Sequence, residues 1–110
     1  MVFILFSTLF LNAQTSVEEW ISRGDSAYQQ FNNLAALGAY QQALKLDSLN
    51  YEALWKISRA YVDVGETLKK KEERRQYYQE AEKFARKAVA VNPDGAKGHL
   101  FLSIALGRVA

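Results

Sequence analysis

Cysteine is missing from this 110-residue chain, proline and histidine occur once each, and neither charge sign predominates. Without cysteine there is no disulfide framework, no thiolate metal site and no cysteine to carry a lipid. That absence fits a cytoplasmic or a periplasmic protein equally well. A single proline, Pro93, leaves the rest of the chain free of helix breakers, as a mostly helical protein requires. A net charge of +2 is too small to argue for nucleic acid or a membrane surface. The one histidine, His99, has no carboxylate at ligand spacing, so a structural role is expected for it. Also missing are a Gly-rich phosphate loop, a His-Glu-x-x-His pair and a Gly-x-Ser-x-Gly elbow. Glu18-Glu19 and Glu72-Glu73 are adjacent in sequence, so each pair points to two helix faces and cannot act as an acid–base couple. We therefore expect no enzyme, no cofactor and no metal.

What is present is ordinary for one small soluble domain, with 49% hydrophobic and 24% charged residues. Residues 2–11 form an uncharged apolar run with only Ser7 and Thr8 as polar members, followed by Asn12-Ala13-Gln14. This pattern resembles the apolar part of a secretory signal peptide cleaved after Ala13, although no Lys or Arg precedes it. It is too short for a full membrane span. Export to the periplasm or cell envelope is the expectation. The alternative is a cytoplasmic protein in which residues 1–13 are an N-terminal helix of the domain.

From residue 17 onward the apolar residues keep a helical period, punctuated by turn signals. Thr15 or Ser16 is suited to cap a first helix running to about residue 31, with Glu18 and Glu19 opposing its positive end. Asn32-Asn33 marks a turn, and a second helix runs over about 34–46. Asn50 can cap a third, whose apolar positions are Leu54, Ile57, Tyr61, Val64 and Leu68. A fourth covers about 72–91, with Tyr77, Ala81, Phe84, Ala85, Ala88 and Val91 on one face. Asn92-Pro93-Asp94-Gly95 is a strong stop, and residues 96–110 form a fifth helix.

Residues 17–50 place Trp20, Gly24, Ala36, Tyr40 and Ala43 at the spacing of one tetratricopeptide repeat, which this unit resembles. Arg23 and Ser48 depart from that pattern, standing where a Leu and a closing Pro are usual. Small residues at Gly24 and Ala36 let two helices approach, and Trp20, Tyr40 and Leu44 fill the space beside them. One such hairpin cannot bury its apolar face alone, so it must stack on a neighbour. Residues 51–95 read as a second, longer repeat. Aligning Ala88 with Ala43 leaves about eleven extra residues near 67–77, read as added turns on both helices joined around 69–74. Residues 96–110 open a third repeat. The fold expected is all-α: a superhelical array of about two and a half repeats.

Repeat two carries a closer resemblance. Leu54-Trp55-Lys56-Ile57-Ser58-Arg59-Ala60-Tyr61, followed by Ala81, Ala85, Lys87-Ala88, Pro93 and His99, is similar to the repeat-like domain of the regulator-of-microtubule-dynamics family and its bacterial relatives. The resemblance covers roughly residues 37–110. It implies the helical fold and a non-enzymatic, protein-binding role. Microtubule association is not expected to carry over to an exported chain.

In repeats of this kind, ligand peptides lie against the first helix of each repeat. That register presents Glu18, Ile21, Asp25 and Tyr28, then Glu52, Trp55, Arg59 and Asp63, then Lys97, Leu100 and Ile104. Trp and Arg are over-represented at binding hot spots, and Trp55 and Arg59 stand one helical turn apart. The competing reading makes Trp55 a core residue and pairs Arg59 with Asp63 or Glu52. Ile21 and Asp25 occupy the positions where chaperone-tail binders carry their carboxylate clamp, so no clamp is expected. The run Lys69-Lys70-Lys71-Glu72-Glu73-Arg74-Arg75 mixes signs and reads as a solvated hairpin, not a nucleic-acid site.

The partner expected is therefore a protein or peptide, with no nucleic acid and no stable membrane span. Leu100, Phe101, Leu102, Ile104, Leu106 and Val109 wrap most of the last helix, where a capping helix would have a polar outer face. The expectation is that the sequence is a piece of a longer protein. Alternatives are a self-associating structural protein using residues 96–110, or the helical N-terminal part of a larger enzyme.

Overall fold

A computed structural model describes residues 14–110 as five helices, with no strand among the described residues. The helices are α1 (Val17–Gln29), α2 (Asn33–Leu46), α3 (Tyr51–Gly65), α4 (Lys71–Val91) and α5 (Ala96–Val109). The leader expected over residues 1–13 lies outside the described residues. α1 packs on α2 and α3 on α4, and these two hairpins meet where α2 lies against α3. α5 packs on both α4 and α3. This is the all-α arrangement of stacked hairpins that the periodicity implies.

Side-chain caps start the first three helices. Ser16, not Thr15, opens α1, accepting from the Glu19 amide at 3.2 Å. Asn32 accepts from the Ala35 amide at 3.2 Å, and Asn50 from the Ala53 amide at 3.0 Å. Each satisfies one of the donors that a helix start leaves without an intrahelical partner. α1 ends two residues before the expected limit. Phe31 turns into the left-handed region (φ 59°), and the Asn32 amide reaches back to the Ala27 carbonyl at 2.9 Å. An apolar residue at position 31 prolongs the sequence pattern past the true helix end, yet this residue is 89% exposed.

The added length of the second hairpin is unequal. α4 has 21 residues against 14 in α2, whereas α3 has 15 against 13 in α1. The expectation of extra turns on both helices therefore holds for α4 and fails for α3. Thr67 Oγ1 donates to the Val64 carbonyl at 2.7 Å, and the Leu68 amide donates to Gly65, so the chain leaves α3 before Leu68 can join it. Arg74 then ties this connection to α4, donating to the carbonyls of Leu68 and Lys69 at 3.0 and 2.7 Å. Beyond α4, the stop at residues 92–95 is held by His99, whose Nε2 lies 2.6 Å from the Pro93 carbonyl oxygen it donates to. The Gly98 amide donates to the Tyr51 hydroxyl at 3.0 Å, fastening the start of α5 to the start of α3.

Alanines fill the helix crossings: Ala36, Ala43, Ala53, Ala60, Ala81, Ala85, Ala88 and Ala105 are all buried. Small residues there let helix axes approach, and the bulk comes from Tyr40, Leu54 and Ile57. Ser58 is also fully buried and donates to the Ala81 carbonyl at 2.8 Å, joining α3 to α4. Tyr61 lies between Phe84, stacked at 5.7 Å, and Tyr77, edge-on at 5.8 Å. Val91, placed by its spacing on the core face of α4, is instead exposed at the helix end. On α5 only Gly98 and Ala105 are buried, while Leu100 and Leu106 are 48% and 41% exposed.

Gly24 is a close approach between two helices, because a Cβ there would overlap the Tyr40 ring. Gly24→Ala is expected to lower stability by about 1–3 kcal/mol through overpacking. Gly38, with open space around it, is the control: Gly38→Ala is expected to raise stability by about 0.5–1 kcal/mol. Urea unfolding followed by circular dichroism reads both, and equal effects would contradict this packing. Phe31→Gly relieves a left-handed residue at a helix end and is expected to stabilise by up to about 1 kcal/mol in the same assay.

Candidate protein-binding face

The first helices of the successive hairpins, α1 and α3, together with α5, line one side of the molecule. On α3, positions 52, 55, 56, 59 and 63 follow helical spacing and so share a side. Lys56 is buried (8% exposed) and spans the gap to α1: its Nζ lies 2.8 Å from Asp25 Oδ2 and 2.5 Å from Glu52 Oε2. Two carboxylates around one ammonium satisfy a cation that burial would otherwise penalise. Tyr40, reaching through from α2, donates its hydroxyl to Asp25 Oδ1 at 2.7 Å. Burial first, and then that hydrogen bond, hold the Tyr40 phenol well above its ordinary value, so it remains a donor.

Arg59 occupies the centre. Its guanidinium carbon stands 3.4 Å from the Tyr28 ring centroid and 5.3 Å from that of Trp55. Its Nη2 donates to the Tyr40 hydroxyl at 3.3 Å, while its Nε is buried with no partner among the described residues. Trp55 is half-buried and stacks on Phe101 of α5, with ring centroids 5.6 Å apart and planes 4° from parallel. Lys97 of α5 sits 5.3 Å from the same indole. The result is a row of stacked groups, Tyr28–Arg59–Trp55–Phe101, crossing from α1 to α5. Stacking of this kind suits a guanidinium better than an ammonium.

The eight residues expected on this face divide into groups. Tyr28, Trp55 and Arg59 are brought into direct contact. Asp25 and Glu52 are joined through Lys56. Glu18 is exposed at the mouth of a cleft of about 350 Å³ between α1 and α3, which Asp25, Asn50 and Glu52 also line. Ile21 is corrected: at 6% exposure it belongs to the core and forms the floor of that cleft. Its spacing on α1 points it between the two helices, where apolar contact outweighs presentation. Asp63 lines a second cleft of about 330 Å³ with Tyr28, Gln29, Phe31 and Asn33. Of the two α5 positions, Leu100 is exposed and Ile104 packs half-buried beside Val62, Ala81 and Ala105. Neither ion pair considered for Arg59 forms; Lys56 takes Glu52 instead. The Glu52–Lys56 spacing of four residues was legible, but the reach of Lys56 to Asp25, 31 positions away, was not.

With this geometry established, the comparisons with known proteins are informative. The family model for regulator of microtubule dynamics protein 1-3 matches residues 20–110. The chain belongs to this family. The match begins at Trp20, so it takes in α1, which the resemblance over residues 37–110 left out. The whole Tyr28–Phe101 row thus lies inside the family's region. None of the curated proteins compared with the chain matches it. No helix among the described residues is long and apolar enough to cross a membrane, and no group of three or more His, Asp or Glu among them is placed to hold a metal ion.

Asp63 provides a test of the electrostatics of the face. Burial raises its carboxyl above the ordinary value, against the opposing pull of Arg59, and Glu66 adds to the rise. The folded state therefore binds this proton more tightly than the unfolded chain. Stability falls as pH rises from the ordinary carboxylate value through the raised one. Asp63→Asn is expected to stabilise at pH 7 by less than about 1 kcal/mol, discounted for its partial exposure. That gain should vanish near pH 3, and thermal melts at the two pH values measure it. A loss of stability at pH 7 would show that the attraction to Arg59 outweighs burial.

Proposed function

We propose that this family member is a non-enzymatic protein-interaction module that holds a polypeptide segment along α1, α3 and α5. The observation that carries the reading is the half-exposed row Tyr28–Arg59–Trp55–Phe101. Aromatic rings and a pre-stacked guanidinium supply contact area at low entropic cost, which is why Tyr, Trp and Arg dominate binding hot spots. Binding, not catalysis, suits the polar groups nearby. Asp25 and Glu52 are engaged by Lys56, and His99 is turned away to the Pro93 carbonyl. We place the protein outside the cytoplasm, in the periplasm or cell envelope, on the apolar run over residues 2–11 that ends near Ala13. N-terminal sequencing of the protein recovered from its host tests that placement.

A second reading is favoured by a separate observation. Leu100 and Leu106 expose apolar surface on α5, and this surface suits contact with a second copy. Light scattering across a concentration series separates the two readings. A dimer that strengthens with concentration and is lost in Leu100→Ser/Leu106→Ser supports self-association.

Panning a random-peptide display library against the protein tests the binding face. Binders with micromolar Kd are expected, each weakened about tenfold or more by Trp55→Ala with Arg59→Ala, with the helical circular-dichroism signal retained. Binders indifferent to the double change in a folded protein would remove this face from consideration.

A further inference from the structure

We infer that the segment taken by this face is acidic: an extended peptide carrying two carboxylate side chains at alternate positions, which share one side of the strand. The inference rests on the peptide-binding reading above and specifies its partner. Its basis is the distribution of charge around one ring. The cations Arg59, Lys56 and Lys97 all lie within 5.4 Å of the Trp55 indole centroid. Only Lys56 is neutralised, and it is neutralised twice, by Asp25 and Glu52 on its α1 side. Neither Arg59 nor Lys97 has a carboxylate within ion-pair distance among the described residues.

The face is therefore divided. Asp25 and Glu52 are gathered at the α1–α3 cleft and taken up there by Lys56, and Asp63 lines the separate cleft beside Tyr28, while the α3–α5 half offers two cations without an ion-pair partner beside the aromatic stack. Arg59 is held ready for a planar acceptor. Tyr28 covers its face and its Nε is buried, while Tyr40 takes one Nη2 proton and leaves the other Nη protons for an acceptor. A guanidinium oriented by stacking loses little freedom when it pairs with a carboxylate. Arg59 and Lys97 each stand 5.3 Å from the same centroid, so they are within about 11 Å of each other. That separation is within reach of two side chains two positions apart, which share one side of an extended strand at about 3.3 Å rise per residue. The residue between them points to the opposite side, away from Trp55. Lys97 rises from α5 and Arg59 from α3, so both hairpin stacking and the fifth helix are needed to assemble the pair.

Three peptides capped at both ends and identical except at two alternate positions test this: Asp-Ser-Glu, Asn-Ser-Gln and Lys-Ser-Lys within a Gly-Ser frame. Titrations are followed by the Trp55 indole N–H signal in a ¹H–¹⁵N spectrum, assigned by the loss of the other indole in Trp20→Phe. The acidic peptide is expected to bind about tenfold or more tightly than its amide counterpart, and the basic one not to saturate. Lys97→Gln, a surface change, and Arg59→Gln should each bring the acidic peptide close to the amide peptide's affinity, and added salt should weaken it. If the amide or basic peptide binds Trp55 as tightly as the acidic one, or if Lys97→Gln leaves the acidic peptide unaffected, the acidic specificity is wrong while the binding face stands. If no peptide perturbs Trp55 at millimolar concentration, the inference and the face fall together.

Discussion

Tyr40 lies wholly buried against the bare backbone of Gly24, and most of the described structure can be traced outward from that contact. A tyrosine ring fits between α1 and α2 only because position 24 lacks a Cβ. Once inside, its hydroxyl must find a partner, since a buried phenol without one is costly. Asp25, the next residue along α1, supplies it at 2.7 Å. The same carboxylate then accepts from Lys56 of α3, and the same hydroxyl accepts from Arg59. One steric allowance therefore closes the first hairpin, joins it to the second and orients Lys56 and Arg59 on the proposed binding face.

The two hairpins are held together by different kinds of contact. Within each, small residues meet at the crossings, and dispersion and apolar burial dominate. Between α1 and α3 the bridging groups are polar: Asp25, Lys56, Glu52, Tyr40 and Arg59. A contact of that kind is directional and is satisfied in few geometries, so it sets how α1 sits against α3 more narrowly than apolar packing would. On the far side, the long α4 carries Phe84 and Tyr77 against Tyr61, and α5 is fastened by Tyr51, by its glycine contact with α4 and by the Arg108–Glu66 ion pair at 2.7 Å. Anchoring α5 in this way places Phe101 and Lys97 beside Trp55. Membership of the regulator of microtubule dynamics family covers all of these elements from Trp20 onward.

Helix existence, the turn at Asn32-Asn33, the cap at Asn50 and the stop at residues 92–95 were all readable along the chain. Each depends on neighbours within about one helical turn, and local sequence reports such neighbours directly. The face bearing Trp55 and Arg59 was readable for the same reason, because positions four apart share a side. Misjudged features were those in which a distant partner decides. Phe31 keeps the apolar period but closes a turn, Leu68 keeps it but lies beyond the end of α3, and Ile21 keeps the register of the face but is drawn into the core.

Sequence alone thus determined the class of the protein: all-helical, built of stacked hairpins, with Trp55 and Arg59 one turn apart between Glu52 and Asp63 on the third helix. Tertiary structure alone decided which charges on that helix are already engaged. Lys56 and Arg59 are both cations on one helix, three positions apart and similar on paper. The first is consumed by two carboxylates, one from its own helix and one from α1. The second has no carboxylate within ion-pair distance among the described residues, and its guanidinium is stacked on Tyr28 with a buried, unpartnered Nε. Electrostatic pairing depends on separation in space, which falls off within a few ångströms and has no fixed relation to separation along the chain.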